Sequence, residues 1–160
     1  MTKTQTRSAR PRQRKPADPG AMWRVIHRLE PFSSDELLRL ELPVRMSFQA
    51  MRSGAGQEQD FHDLAAVVNV TIMRSRSIDP LCEQTANMAS DALMRCWDRH
   101  QRTGIWGFDG LALGQIEAAI ELHEQLVRLS TPEQMMASAR RVTALRAQAR
   151  QQQQQGAAAA

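Results

Sequence analysis

The sequence predicts an all-α protein, a small antiparallel bundle of about five to six helices carrying a basic N-terminal arm. Three observations lead there. Tyr is absent and aromatic residues make up only 4% of the chain, while Met, Leu, Ala and Gln, all good helix formers, are plentiful. Apolar residues recur at helical spacing in successive stretches, opened by capping signals or closed by Gly or Pro. With the arm and a Gln/Ala-rich tail set aside, roughly 120 of the 160 residues remain, enough to bury one core.

The expected organisation is a disordered basic arm at 1–17, a helical domain at 18–150 and a low-complexity tail at 151–160. Asp18 and Pro19 suit an N-cap and first helical position, after which Met22, Val25, Ile26 and Leu29 share one face until Glu30-Pro31 stops this short docking helix. Ser33 and Glu36 form a capping-box pair, opening a segment in which Leu37, Leu40, Val44, Phe48 and Met51 keep helical spacing. Pro43 lies inside it and predicts a kink, or two short helices meeting near Leu42. The Ser-Gly-Ala-Gly run at 53–56 ends the element.

Residues 64–73 are almost wholly apolar and rich in Val and Ile, a pattern that fits a buried strand as well as a helix. Extension back to Phe61 and forward to Arg74 exceeds a normal strand, and nothing else in the chain offers it a partner, so a helix is expected. Asp79-Pro80 then caps a helix that pairs with it as a hairpin over 57–103, with Leu81, Thr85, Met88, Ala92 and Cys96 inward. Its outer face offers Asp91 with Arg95 and Asp98 with Arg102 at i,i+4. After a loop at 103–110, Leu113, Ile116, Ile120, His123 and Val127 form the inner stripe of the next helix. Thr131, Pro132 and Gln134 spell a second capping box, and Met135, Ala139, Val142 and Leu145 should pack, with fraying beyond Arg150.

Charge is divided unevenly along the chain. Lys3, Arg7, Arg10, Arg12, Arg14 and Lys15 precede the first acid, Asp18, whereas residues 17–160 hold 15 basic and 17 acidic groups, a net −2. A proline-broken block of like charge cannot bury apolar surface, and it suits phosphates without reading sequence, whether on DNA or RNA; a merely solubilising tail is the plain alternative. The arm has no aromatic residue to stack on single-stranded bases. Arginine outnumbers lysine nineteen to two, favouring bidentate contacts, though a GC-rich genome gives the same bias. On the last helix Arg140, Arg141, Arg146 and Arg150 with neighbouring glutamines make a second candidate basic surface.

Other chemistry is sparsely marked. Cys82 and Cys96, if on one helix, stand about 21 Å apart and cannot form a disulfide. Cys96 and His100 at i,i+4 meet His62 in one hairpin register, but paired short ligand spacings are missing, so no metal or cofactor is expected. His123, in mid-stripe, reads as a hydrogen-bonded core histidine. No phosphate loop, nucleophile elbow or catalytic triad order occurs, which argues against an enzyme. Trp106 and Phe108, set among glycines, form a candidate aromatic tip for a protein partner, or else fold back over a core edge. With no apolar run of spanning length and no secretory pattern, the bacterial cytoplasm is the expected location, without membrane association.

Six segments, at 40–45, 52–56, 61–66, 78–80, 91–95 and 106–110, resemble a group of short, uncharacterised proteins from proteobacterial prophages and plasmids, some labelled regulators of the Fis type. The likeness covers most of residues 21–136, although the chain lacks the compact C-terminal helix-turn-helix of Fis proteins proper. It implies a non-enzymatic accessory or regulatory protein of a mobile element. Weak, sequence-independent nucleic-acid binding through the arm is the leading expectation; a helical adaptor engaging a host or phage protein through the aromatic loop is the alternative.

Overall fold

A computed structural model describes residues 28–158. They form five α-helices and no strand: α1 Ser34–Ser53, α2 Glu58–Ser75, α3 Pro80–Thr103, α4 Gly110–Arg128 and α5 Pro132–Ala158. The all-α expectation holds. The expected docking helix lies outside the described residues, apart from its last positions Arg28 and Leu29, which are helical.

Local capping chemistry explains most of the boundaries. Ser33 Oγ accepts from the Glu36 N–H at 3.4 Å while the Ser33 N–H donates to Glu36 Oε2 at 2.9 Å, so two otherwise unpaired donors at the start of α1 are satisfied reciprocally. Asp79 Oδ1 accepts from the Leu81 N–H ahead of α3, and Asp109 Oδ1 from the Ala112 N–H at the start of α4, each at 2.6 Å. Thr131 and Gln134 repeat the reciprocal box at α5. Gly54 and Gly104 end α1 and α3 at φ +78° and +71°, the left-handed conformation that glycine adopts without steric cost.

Two expectations about helix continuity are corrected. Pro43 does not divide α1, which runs through it unbroken. Pro43 and Arg39 are both exposed, so water can take the Arg39 carbonyl that proline leaves without a donor. The turns around it are also clamped to α4. Arg45 forks onto Glu124 at 2.6 and 2.8 Å, and Arg128 forks onto Glu41 at 3.1 Å through both nitrogens. Likewise residues 151–155 do not fray but continue α5 to Ala158, as suits glutamine and alanine, which cost little in a helix.

Helix α2 is the hub, packing against each of the other four, and α4 packs on α1, α2 and α3. Met51, Leu64, Ile116 and Ile120 are fully buried where these helices meet. The Val/Ile-rich run is thus a central helix, apolar on nearly all sides because nearly all sides are covered. The inner face of α3 differs from the expected one. Ala86, Ala89, Ala92, Leu93 and Cys96 are buried, whereas Leu81 is 71% and Met88 44% exposed. Small residues let α3 approach α2 and α4 closely, and Ala112 and Ala119 do the same on α4. Among the described residues no helix is long and apolar enough to cross a membrane.

Candidate nucleic-acid interface

Helix α5 begins on a polar anchor and ends as a projection. Arg74, near the end of α2, donates from Nε to Ser130 Oγ at 2.8 Å, from Nη1 to Ser77 Oγ at 2.9 Å and from Nη2 to Gln134 Oε1 at 3.3 Å. One guanidinium therefore ties α2 to both the α4–α5 turn and the first turn of α5. Ser138 and Val142 are the buried contacts beyond that anchor, and α5 packs chiefly on α2. Ala139 is exposed and Leu145 is 45% exposed, so the expected packing stripe closes at Val142. Every side chain from Thr143 to Ala157 faces solvent.

Arg140, Arg141, Arg146 and Arg150 are all exposed on this helix. Arg140 is half committed, its Nη1 lying 3.2 Å from Glu133 Oε1, while the other three have no ion-pair partner among the described residues. They form no single stripe: at 100° per residue Arg146 and Arg150 share one flank and Arg141 lies on the other. No acid follows Glu133 in the sequence. The arm holds six bases and the last helix four of the 21, leaving eleven against 17 acids in 17–133, a body of −6 between two cationic ends. Lys3, Arg7, Arg10, Arg12, Arg14 and Lys15 lie outside the described residues.

A third group of arginines, two of which the sequence marked only as ion-pair partners of aspartates, comes together on α3. Arg95, Arg99 and Arg102 on α3 surround a shallow cavity of about 190 Å³, but Asp98 and Asp109 line it too. Arg95 does not pair with Asp91; it reaches α4, donating to Gln115 Oε1 at 2.6 Å. Arg102 bonds the Asp98 backbone carbonyl instead of its carboxylate. The i,i+4,i+7 spacing was the signal available for this group.

The aromatic loop is not an exposed tip. Trp106 is buried, with its ring centroid 4.9 Å from Phe61, 5.7 Å from Trp97 and 3.7 Å from the nearly parallel His100 imidazole. Phe108 is half-buried against Phe48 at 6.0 Å. Both rings complete the core where α3 turns into α4, because that corner has an apolar edge wide enough to desolvate them. Candidate metal ligands are dispersed into other contacts. The Cys96 thiol donates to the Gly107 carbonyl, and burial sets its pKa above the ordinary value; His62 lies beside Glu58, and His100 stacks on Trp106. Among the described residues no three His, Cys, Asp or Glu side chains are placed to hold a metal ion, and both cysteines are free thiols.

His123 is a core histidine, as expected. Thr71 Oγ1 lies 2.8 Å from the Val67 carbonyl and 2.9 Å from His123 Nδ1. A hydroxyl has one proton, and this one goes to the carbonyl of its own helix. His123 Nδ1 must then carry the hydrogen it donates to Thr71, which leaves Nε2 a bare acceptor. Burial pushes the histidine pKa down to about 4, so it is neutral at pH 7.

Comparison with protein-family models, curated proteins and solved structures finds no match.

Proposed function

We propose that the protein is a non-enzymatic accessory or regulatory protein of a mobile element that binds nucleic acid through phosphates, with the arm as the main contact and α5 as an auxiliary one. The observation that carries this reading is the distribution of charge: two acid-free ends, +6 and +4, flank a body of −6. A polyanion is attracted to the ends and repelled by the body, so contacts concentrate at the termini. The distal half of α5 adds to this, because Arg146 and Arg150 are exposed beyond Val142, the last buried residue of that helix. Phosphate contacts of this kind position a protein without specifying sequence. Packing of the Trp106 ring removes one of the two surfaces an adaptor could use, the aromatic loop, and leaves a Met-rich groove as the other.

Duplex binding measured against salt tests the proposal. Six arm contacts set a maximal slope of log affinity against log salt near −0.9 times six, roughly −5, with little change between unrelated duplexes. Replacing Arg10, Arg12 and Arg14 by Ala should weaken all duplexes alike and flatten the slope by about three contacts' worth. Strong dependence on sequence, abolished by Arg146→Ala alone, would move base reading to α5. Absence of duplex binding at low salt removes nucleic acid from the function.

A further inference from the structure

Helices α1 and α5 both rest on α2 without forming a helix pair of their own, and between them lies a groove of about 410 Å³. Leu40 lines it from α1, Val67 and Val70 from α2, Met135 and Met136 from α5, and His123 from the end of α4. Its volume is that of a small-molecule pocket. No charged side chain of the described residues lines it, and His123 is the one polar side chain among them that does. A mostly apolar pocket with one placed polar group is the usual composition of a ligand site.

His123 gives the groove a specific polar requirement. The residue is only 8% exposed, and Nδ1 is spent on Thr71, whose own proton goes to the Val67 carbonyl. Nε2 takes no hydrogen bond from any described residue, yet unlike Ser75 Oγ and His100 Nδ1 it is not sealed in the interior. Its lone pair is therefore reached from the groove that the ring lines. A water molecule placed there finds this one partner, where an ordered water typically has about three, so it is readily displaced. Charge is disfavoured in an occupant: an anion meets the Nε2 lone pair, and a cation finds no carboxylate in the lining. A peptide strand brings many backbone N–H and C=O groups to a surface that can answer very few of them.

We propose that this groove binds a small, uncharged, largely apolar molecule with a single O–H or N–H donor, a phenol or an indole by chemical class, which it holds by a hydrogen bond to His123 Nε2. Burial keeps the imidazole neutral at pH 7, so the acceptor is present under physiological conditions. The flexible Met135 and Met136 side chains adapt to the apolar body of such a molecule. Once bound, it touches α1, α2, α4 and α5 together and bridges the two helices that do not pack on each other. The site stands whether or not the protein binds nucleic acid.

Three probes of similar shape test it on the full-length chain at pH 7: naphthol donates one O–H, methoxynaphthalene only accepts, and naphthalene does neither. Calorimetry should give naphthol an affinity roughly tenfold above the other two, the net contribution of one hydrogen bond. The His123 Nε2 resonance should move on addition of naphthol and stay in place with naphthalene. Ala66→Phe, which fills the groove from an exposed position on α2, should weaken all three probes by about tenfold or more. His123→Leu should bring naphthol down to the level of naphthalene, with far-UV dichroism confirming that each variant keeps its helices. Equal affinity of naphthol and naphthalene for the wild type overturns the proposal, and that comparison needs no variant. Binding of naphthol that is unchanged in Ala66→Phe overturns it by placing the probe elsewhere. Absence of binding by all three overturns it as well and assigns the groove to a macromolecular cover.

Discussion

His123 shows how one buried side chain couples packing to pH. Its neutral form is stabilised in the folded protein and its pKa lies at about 4 against an ordinary 6.5, so the unfolded chain binds the extra proton more readily. The contribution is complete above pH 6.5 and is lost progressively as pH falls through about 4, below which both states are protonated. A shift of that size corresponds to roughly 3 kcal/mol over the interval. We expect His123→Gln to flatten the decline of melting temperature between pH 6.5 and 4 relative to wild type. Parallel curves for the two proteins would show that other groups dominate the acid limb. Arg45 illustrates the opposite sense: its hydrogen bonds to Glu124, and the field of Glu124, Glu121 and Glu117, raise its pKa and hold the α1–α4 clamp charged.

At the scale of the element, helix ends were legible in the sequence and helix faces less so. Ser33, Asp79 and Thr131 announce their caps because a short oxygen-bearing side chain answers a local need that tertiary contacts do not alter. The inner face of α3 was misread for a physical reason. Long apolar residues such as Leu81 and Met88 usually mark the core, but the central part of this helix lies so near α2 and α4 that only alanine fits at 86, 89 and 92. Pro43 was over-read, since proline ends a helix reliably only where the freed carbonyl lacks water or the flanking turns lack tertiary support. Ala89→Leu should therefore destabilise the protein by about 1–3 kcal/mol, because the added atoms have no space at a fully buried position. Denaturant unfolding measures this, and an unchanged midpoint would mean that α3 can move outward.

At the scale of the whole molecule, the candidate interface was only partly readable. Spacing alone identified the arginines of α5, but not that their helix leaves the bundle; the glycines around Trp106 left both a protruding tip and a ring folded back over a core edge open, and the second forms because an aromatic corner receives the ring once α2 and α3 are paired. The free end of α5 should be dispensable for stability. Removing the chain from residue 147 onward deletes side chains that are exposed throughout 147–157, so unfolding free energy should change by less than about 0.5 kcal/mol, measured by thermal or urea unfolding, while the Stokes radius falls. A large loss of stability would place the distal helix in contact with the body.

The position of α2 at the centre also has a temporal side. During synthesis α2 is complete at Ser75, but α4, which covers a further side of it, ends at Arg128, 53 residues later. At ribosomal rates of 5–20 residues per second that gap lasts about 3–10 s. For that interval the nascent chain carries its most apolar segment with only part of its partners made, and Val68 and Ile72 are left to whatever surface or chaperone is nearest. Slowing translation downstream of Ser75 lengthens the vulnerable period, so a molecule organised around its second helix is most prone to aggregation before its fourth has been made.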